Sequence, residues 1–205
     1  LVPIEMSRAS YTREKYAELI RLAKGMNVNF IRIWGGGMIE TEDFYDLCDE
    51  YGLVVWQDFM QSSSGIDNCA TVLEEGLKNL AETAECAVKR LRNHPSLAVY
   101  SGGNELMDNW VPLDYSHPNI AMLKAIVERE DGTRMMFPTT ASGGLPNGDL
   151  SKVGRGMHHD IHGPWTFTGN EAHYRFYNEM DSLLHAEFGV DGFCNLSAVD
   201  RMLSE

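Results

Sequence analysis

NFIRIWGGGMIETEDFYDLCDEYGLVVWQD, residues 29–58, is the stretch whose reading decides the fold. NFIRIW (29–34) is short, β-branched and aromatic, which suits a strand. Thr41 stands where a helix N-cap belongs, and Glu42 and Asp43 suit the positive end of the helix dipole. Phe44, Leu47, Cys48 and Tyr51 then recur at helical spacing. Gly52 follows as a C′ glycine, able to take the left-handed conformation that ends a helix. LVVWQD (53–58) is the next strand. Strand, helix and strand in close succession imply a parallel pair joined by a helical crossover.

The alternation continues outward. Residues 13–25 place Tyr16, Leu19, Ile20 and Ala23 on one helical face. Residues 70–92 form the longest helix, with Leu73, Leu77, Leu80, Ala84, Val88 and Leu91 at helical spacing, and Pro95 bars its continuation. LAVYSG (97–102), MMFPTT (135–140), GMHHDI (156–161) and SLLHAEF (182–188) read as further strands. Helices are expected over about 118–129 and 171–180.

The strand cores are nearly continuous in apolar character, as in a sheet covered on both faces. A doubly wound sheet and a (β/α)₈ barrel both meet that condition, and polar residues decide between them. Arg32 with Trp34, Gln57 with Asp58, Asn104 with Glu105, His159, and Glu187 all fall near strand ends. Function spread over many strand ends is the barrel pattern, whereas a dinucleotide fold concentrates it at one glycine-rich turn. Six full strands can be counted, and a barrel needs eight. Residues 1–4 read as the tail of the first strand, and nothing after 198–204 suits the eighth. The expectation is an α/β chain, an incomplete (β/α)₈ TIM barrel over residues 1–205. It would be a barrel fragment, with an exposed apolar edge where strands are missing.

Composition narrows the function. The chain carries 17 Lys+Arg against 30 Asp+Glu, a formal charge of −13. DNA, RNA and anionic membranes require a basic face, so they are poor partners. No run approaches the roughly 18 apolar residues of a membrane span. Cys48, Cys69, Cys86 and Cys194 form no CxxC pair and no zinc framework. Cys48 and Cys86 fall on apolar helix positions, which suits buried free thiols. Free thiols favour a reducing compartment, hence the cytoplasm, and secretion stays open because the true N-terminus would lie elsewhere.

Two acids stand out. Glu105 ends LAVYSGGNE and Glu187 ends the apolar run in SLLHAEFG. Two strands that each deliver a carboxylate to a sheet rim supply the minimum for cleaving a glycosidic bond. The bland alternatives are a solvated loop carboxylate for Glu105 and a structural ion pair with Arg32 for Glu187. Gly35–Gly36–Gly37 lacks the Gly-Lys-Ser/Thr and GxGxxG patterns of phosphate loops, and a flexible loop presenting Trp34 fits better. His158, His159 and His162 with Asp160 make a poor metal site, because successive strand residues point to opposite faces. One histidine reaching a sugar hydroxyl is the better reading. Trp110 and Trp165 lie in loop-like stretches, where stacking on a sugar is reasonable. A non-catalytic carbohydrate-binding barrel would keep the tryptophans and the acidic rim without needing the two glutamates in register.

Residues 29–60, then LRNHPSLAVYSGGNE (91–105), then HAEFGVDG (185–192) resemble, in this order, the catalytic barrel of glycoside hydrolase family 2. The β-mannosidases, which share the tryptophan–triple-glycine and Trp-Gln-Asp-Phe segments, are the most similar subgroup. The resemblance implies that Glu105 is the acid/base and Glu187 the nucleophile of a retaining exo-β-glycosidase. Arg32 and Asn104 would hold the nucleophile and the sugar 2-hydroxyl. Asp58 and His159 would be further sugar contacts, and Trp34 and Trp165 would line the pocket. No cofactor or metal is needed, and the resemblance implies that residues 1–205 are a fragment of a longer multidomain enzyme, whose β-sandwich domains would belong to the full-length chain. Tyr100, Gly103 and Ala186 depart from the usual tryptophan, asparagine and serine, which leaves galactosidase or glucuronidase specificity open. Arg32 should keep Glu187 ionised, while Glu105, with no basic residue near it in sequence, should stay protonated more easily.

Overall fold

The computed structural model describes residues 11–62, 68–190, 192 and 194–203. The proposed first-strand tail at residues 1–4 lies outside them. Helix α1 (Arg13–Gly25) starts at the N-cap Thr12, whose side chain accepts the Lys15 N–H, and buries Tyr16, Ala17 and Ile20. Strand β1 (Phe30–Ile33), helix α2 (Glu42–Tyr51) and strand β2 (Val54–Asp58) form the expected parallel unit. Gly52 caps α2 at φ 64°, while Thr41 occupies the N-cap without a side-chain cap bond. Helix α3 (Glu74–Leu91) leads to β3 (Leu97–Ser101), and a short hairpin of β4 (Met107–Asp108) and β5 (Val111–Pro112) precedes α4 (Pro118–Glu130). Strands β6 (Met136–Phe137), β7 (Ser142–Gly143) and β8 (His158–His162) follow, with a 3₁₀ turn at Leu150–Lys152. Helix α5 (Asn170–Glu179), β9 (Leu184–Glu187) and α6 (Leu196–Met202) complete the described chain.

Parallel pairing runs β1–β2–β3–β6, and β8 pairs parallel with β9. The strand expected over 135–140 is interrupted because Pro138 has no N–H for a ladder. The chain resumes pairing at Thr140, bridged to Asn104, and Ser142 then pairs antiparallel with Asp160. The segment 136–143 thereby joins two sheets into one arc of barrel strands. Among the described residues the arc does not close: β1 pairs only with β2, and β9 only with β8. The flanking Phe30, Leu183 and Phe188 are exposed, as expected of open apolar edges.

The core lies between sheet and helices, where Phe44, Leu47 and Cys48 of α2 meet Ile33 and Val55, and Val88 and Leu91 of α3 join them. Each fully buried large apolar side chain contributes about 1.5–3 kcal/mol. Two expectations are corrected here. Helix α3 starts at Glu74, and Leu73 is 74% exposed, so the apolar face read at residue 73 is not buried. Cys86 is exposed on α3, because Ala84, Ala87 and Val88 take the inward face, whereas Cys48 is buried as expected.

Candidate active site

Arg32 organises the rim. It is the third residue of β1, opposite Trp56 of β2, and its side chain is 8% exposed. Its Nε and Nη2 donate to Asp58 Oδ2 at 3.2 and 2.7 Å. Nη2 also donates to Asn104 Oδ1 at 2.7 Å and Thr140 Oγ1 at 2.5 Å, and Nη1 donates to Glu187 Oε1 at 2.6 Å. A buried guanidinium loses several kcal/mol of hydration, and only a full set of acceptors repays that. Burial opposes the charge on Arg32, and Asp58 and Glu187 outweigh it, so its pKa rises above the ordinary arginine value. One side chain thus ties β1 to β2, to the end of β3, to the 136–143 segment and to β9.

Glu105 stands just past β3 with φ 52°, a left-handed conformation uncommon for a non-glycine residue. Its N–H donates to Thr140 O. The two glycines before it are needed for space: a Cβ on Gly102 would lie 2.3 Å from Pro138 O, and one on Gly103 2.7 Å from Gln61. Glu187 ends β9, in register with His162 of β8. His162 Nδ1 lies 2.9 Å from Glu105 Oε1 and 3.8 Å from Glu187 Oε2. The facing atoms of Glu105, His162 and Glu187 all fall within 4.8 Å of one another. Carboxyl groups about 5–5.5 Å apart allow direct attack and proton donation across one glycosidic bond, while about 6.5–9.5 Å leaves room for an inverting water.

The electrostatics differ from expectation at Glu105. Its hydrogen bond to His162 holds the carboxyl below the usual range, outweighing partial burial, and Arg32 acts in the same direction. The free site therefore does not favour a protonated Glu105 by isolation from basic groups. A neighbouring carboxyl, Asp160, is fully buried on β8; burial pushes it up to about 6, and its Oδ1 accepts the Ala186 N–H at 2.9 Å.

Residues 14–147 match the family model described as glycosyl hydrolases family 2, TIM barrel domain. The chain belongs to glycosyl hydrolase family 2. It is 30% identical to beta-mannosidase B of Aspergillus flavus, over 97% of this chain and 25% of that protein. It is 28% identical to the solved beta-D-mannosidase from Dictyoglomus thermophilum, over 95% of this chain and 24% of that one, with a TM-score of 0.72. Beta-glucuronidase 3 of Bacteroides uniformis, 21% identical with a TM-score of 0.56 over 90% of this chain and 23% of that one, shares the fold. The chain spans about a quarter of the length of the curated relatives it matches.

Within this family 2 barrel, Arg32, Asn104, Glu105 and Glu187 come together, with Asp58 buried behind Arg32 and His159 turned outward. Asp58 is fully buried, with Oδ2 shared between Arg32 and the Gly35 N–H at 3.0 Å, so it anchors Arg32 and is closed to a ligand. His159 is exposed beside Gly143, because Asp160 and His162 take the inner face of β8 and strand alternation turns 159 outward. Trp34 is partly buried and folds over Gly36, where a Cβ would meet the indole at 2.1 Å. Trp165, half exposed, follows His162 past the Gly163–Pro164 peptide. Three residues join the site without an expected role there: Thr140, to which nothing in the sequence pointed, and His162 and Asp160, which the sequence offers only as members of a poor metal cluster. Within that cluster, spacing could not choose which of the three histidines turns inward.

Proposed function

We propose that the chain carries the catalytic barrel of a retaining exo-β-glycosidase acting on β-mannosides. The observation that carries this reading is that one carboxylate oxygen of Glu105 and one of Glu187 lie within 4.8 Å of each other on one rim, which supports the close carboxyl pairing of a retaining mechanism over the wider one of an inverting mechanism. Glu187, ionised and held by Arg32, attacks the anomeric carbon, and the glycosidic C–O bond breaks as Glu105 protonates the leaving oxygen. Water then displaces Glu187 from the glycosyl-enzyme while Glu105 takes its proton. Asn104 spends Oδ1 on Arg32, leaving its amide N–H groups for the sugar 2-hydroxyl. Trp34 and Trp165 line the entrance. The likeness to mannosidases in sequence and fold supports the sugar.

The test is the anomeric configuration of the first sugar released by the full-length protein from an aryl β-mannoside, followed by NMR. Release of β-mannose before mutarotation is expected. Release of the α-anomer overturns the retaining mechanism, and turnover of β-galactosides or β-glucuronides with none of β-mannosides overturns the sugar.

A further inference from the structure

His162 lies between the two carboxylates and is otherwise shut in. Its side chain is 3% exposed, and Nε2 is buried without a partner among the described residues. Its backbone is fixed, since the His162 N–H donates to Pro146 O at 2.9 Å and the residue pairs with Glu187 across β8 and β9. Facing the ring are Glu105 at the end of β3, Glu187 and His185 on β9, and Asp160 on β8; Arg32 on β1 and Asp58 on β2 complete the charged surroundings. At 2.9 Å, the Nδ1···Oε1 contact holds one proton between nitrogen and oxygen.

We propose that His162 is the proton-holding partner of Glu105: the acid's proton rests on Nδ1 in the free site and passes to Glu105 Oε1 as the glycosidic oxygen arrives. This rests on Glu105 being the acid/base. In the resting pair Glu105 is a carboxylate and His162 an imidazolium. Transfer across the hydrogen bond makes a carboxylic acid and a neutral imidazole. Glu105 gives that proton to the leaving oxygen as the C–O bond breaks, and the pair is then one proton short. In the second half-reaction the attacking water loses a proton to Glu105, and it returns to Nδ1. The cycle closes without an external acid or base. His162 makes no contact with the sugar in this scheme and acts through Glu105, with Glu187 Oε2 3.8 Å from the same Nδ1; it is a positioning residue that stores charge.

The test is the pH profile of kcat/KM for the full-length protein and its His162→Asn and His162→Phe variants, on substrates with poor and with activated leaving groups. Asparagine keeps an N–H donor near Nδ1 but cannot carry the extra proton. The expected result is an alkaline limb moved at least one pH unit lower in both variants, the acidic limb unmoved, and the defect seen only with poor leaving groups. Unmoved limbs with a lower plateau would reduce His162 to a structural role. Glu105→Gln separates the layers: it should lose activity on poor leaving groups and keep it on activated ones. Equal loss on both would remove the acid/base reading and this proposal with it. Should both His162 variants fail to fold, the ¹⁵N shifts of the wild-type imidazole decide, with both nitrogens protonated at neutral pH as the expected result and an unprotonated Nδ1 as the contrary one.

Discussion

Arg32 is one buried charge that ties several strands together and also reaches the proposed nucleophile. Its partner Asp58 is fully buried and its partner Glu187 half-open, with side chains 0% and 26% exposed. The first contact holds the guanidinium; the second aims it at Glu187, the proposed nucleophile. Replacing Arg32 by Met leaves the Asp58 carboxylate buried and unpaired, which costs about 3–5 kcal/mol. Adding Asp58→Asn removes the stranded charge and should recover part of that loss. Urea unfolding of the single and double variants checks the coupling. A single variant within about 1 kcal/mol of wild type would mean that the pair behaves like a surface contact. Glu105 is the second strained point. Its left-handed backbone is held by Thr140 O on one side and by the glycine-lined passage of residues 102–103 on the other. Strain of this kind costs roughly 1–3 kcal/mol and persists where the surroundings over-determine it.

At the scale of elements, His94 latches α2 to the turn between α3 and β3. Its Nδ1 lies 2.7 Å from Asp49 and its Nε2 3.2 Å from Glu42, while Asp49 also accepts the Ser96 N–H at 2.8 Å. Asp46 stands 3.9 Å away, Arg90 neutralises Glu42 from the side, and Arg134 donates to the His94 carbonyl. Burial of the ring opposes its charge, but Asp49 and Glu42 raise its pKa above the ordinary histidine value. A raised folded pKa stabilises fully below the unfolded value of about 6.5, and the gain is lost as pH rises through the folded value. Asp49 works the other way. Burial pushes it up, Ser96 and His94 outweigh that, and its lowered pKa gives stability that is lost in acid. The urea midpoint should therefore fall between about pH 6 and 8, and His94→Gln should flatten that fall. An unchanged slope in the variant would place the pH dependence elsewhere. Legibility from sequence followed the same local physics. Helix α1 keeps the bounds 13–25 because its cap and its periodicity agree. Strands β1, β2 and β3 end within a residue of expectation because both their faces are apolar. The β4–β5 hairpin was invisible: its strands are two residues long, and its turn residues Asn109 and Trp110 take positive φ without a glycine to announce it. At the site, Arg32, Asn104, Glu105 and Glu187 were legible as polar residues ending apolar strands. His162 was not, because the strand read over 156–161 stops one residue short of it and β8 is irregular between Ile161 and His162.

Across the whole molecule, residues 155 positions apart in sequence, Arg32 and Glu187, meet on one rim. The arc of strands brings them together although its own edges stay unpaired among the described residues. Open apolar edges are templates for further pairing. Expressed as these 205 residues alone, the chain should self-associate in light scattering, and a clean monomer at micromolar concentration would contradict that. The charge of −13 slows such association without removing the cause, since it repels at long range while the edges pair at short range. Glu187 as nucleophile and Glu105 as its acid/base partner remain the proposal on which the whole mechanism rests. The most direct measurement is mass-spectrometric mapping of the adduct formed when the full-length protein is trapped with a 2-deoxy-2-fluoro β-mannoside bearing an activated leaving group. The account predicts one sugar on the peptide containing Glu187. A sugar on Glu105 or elsewhere, or turnover with no adduct, would contradict it.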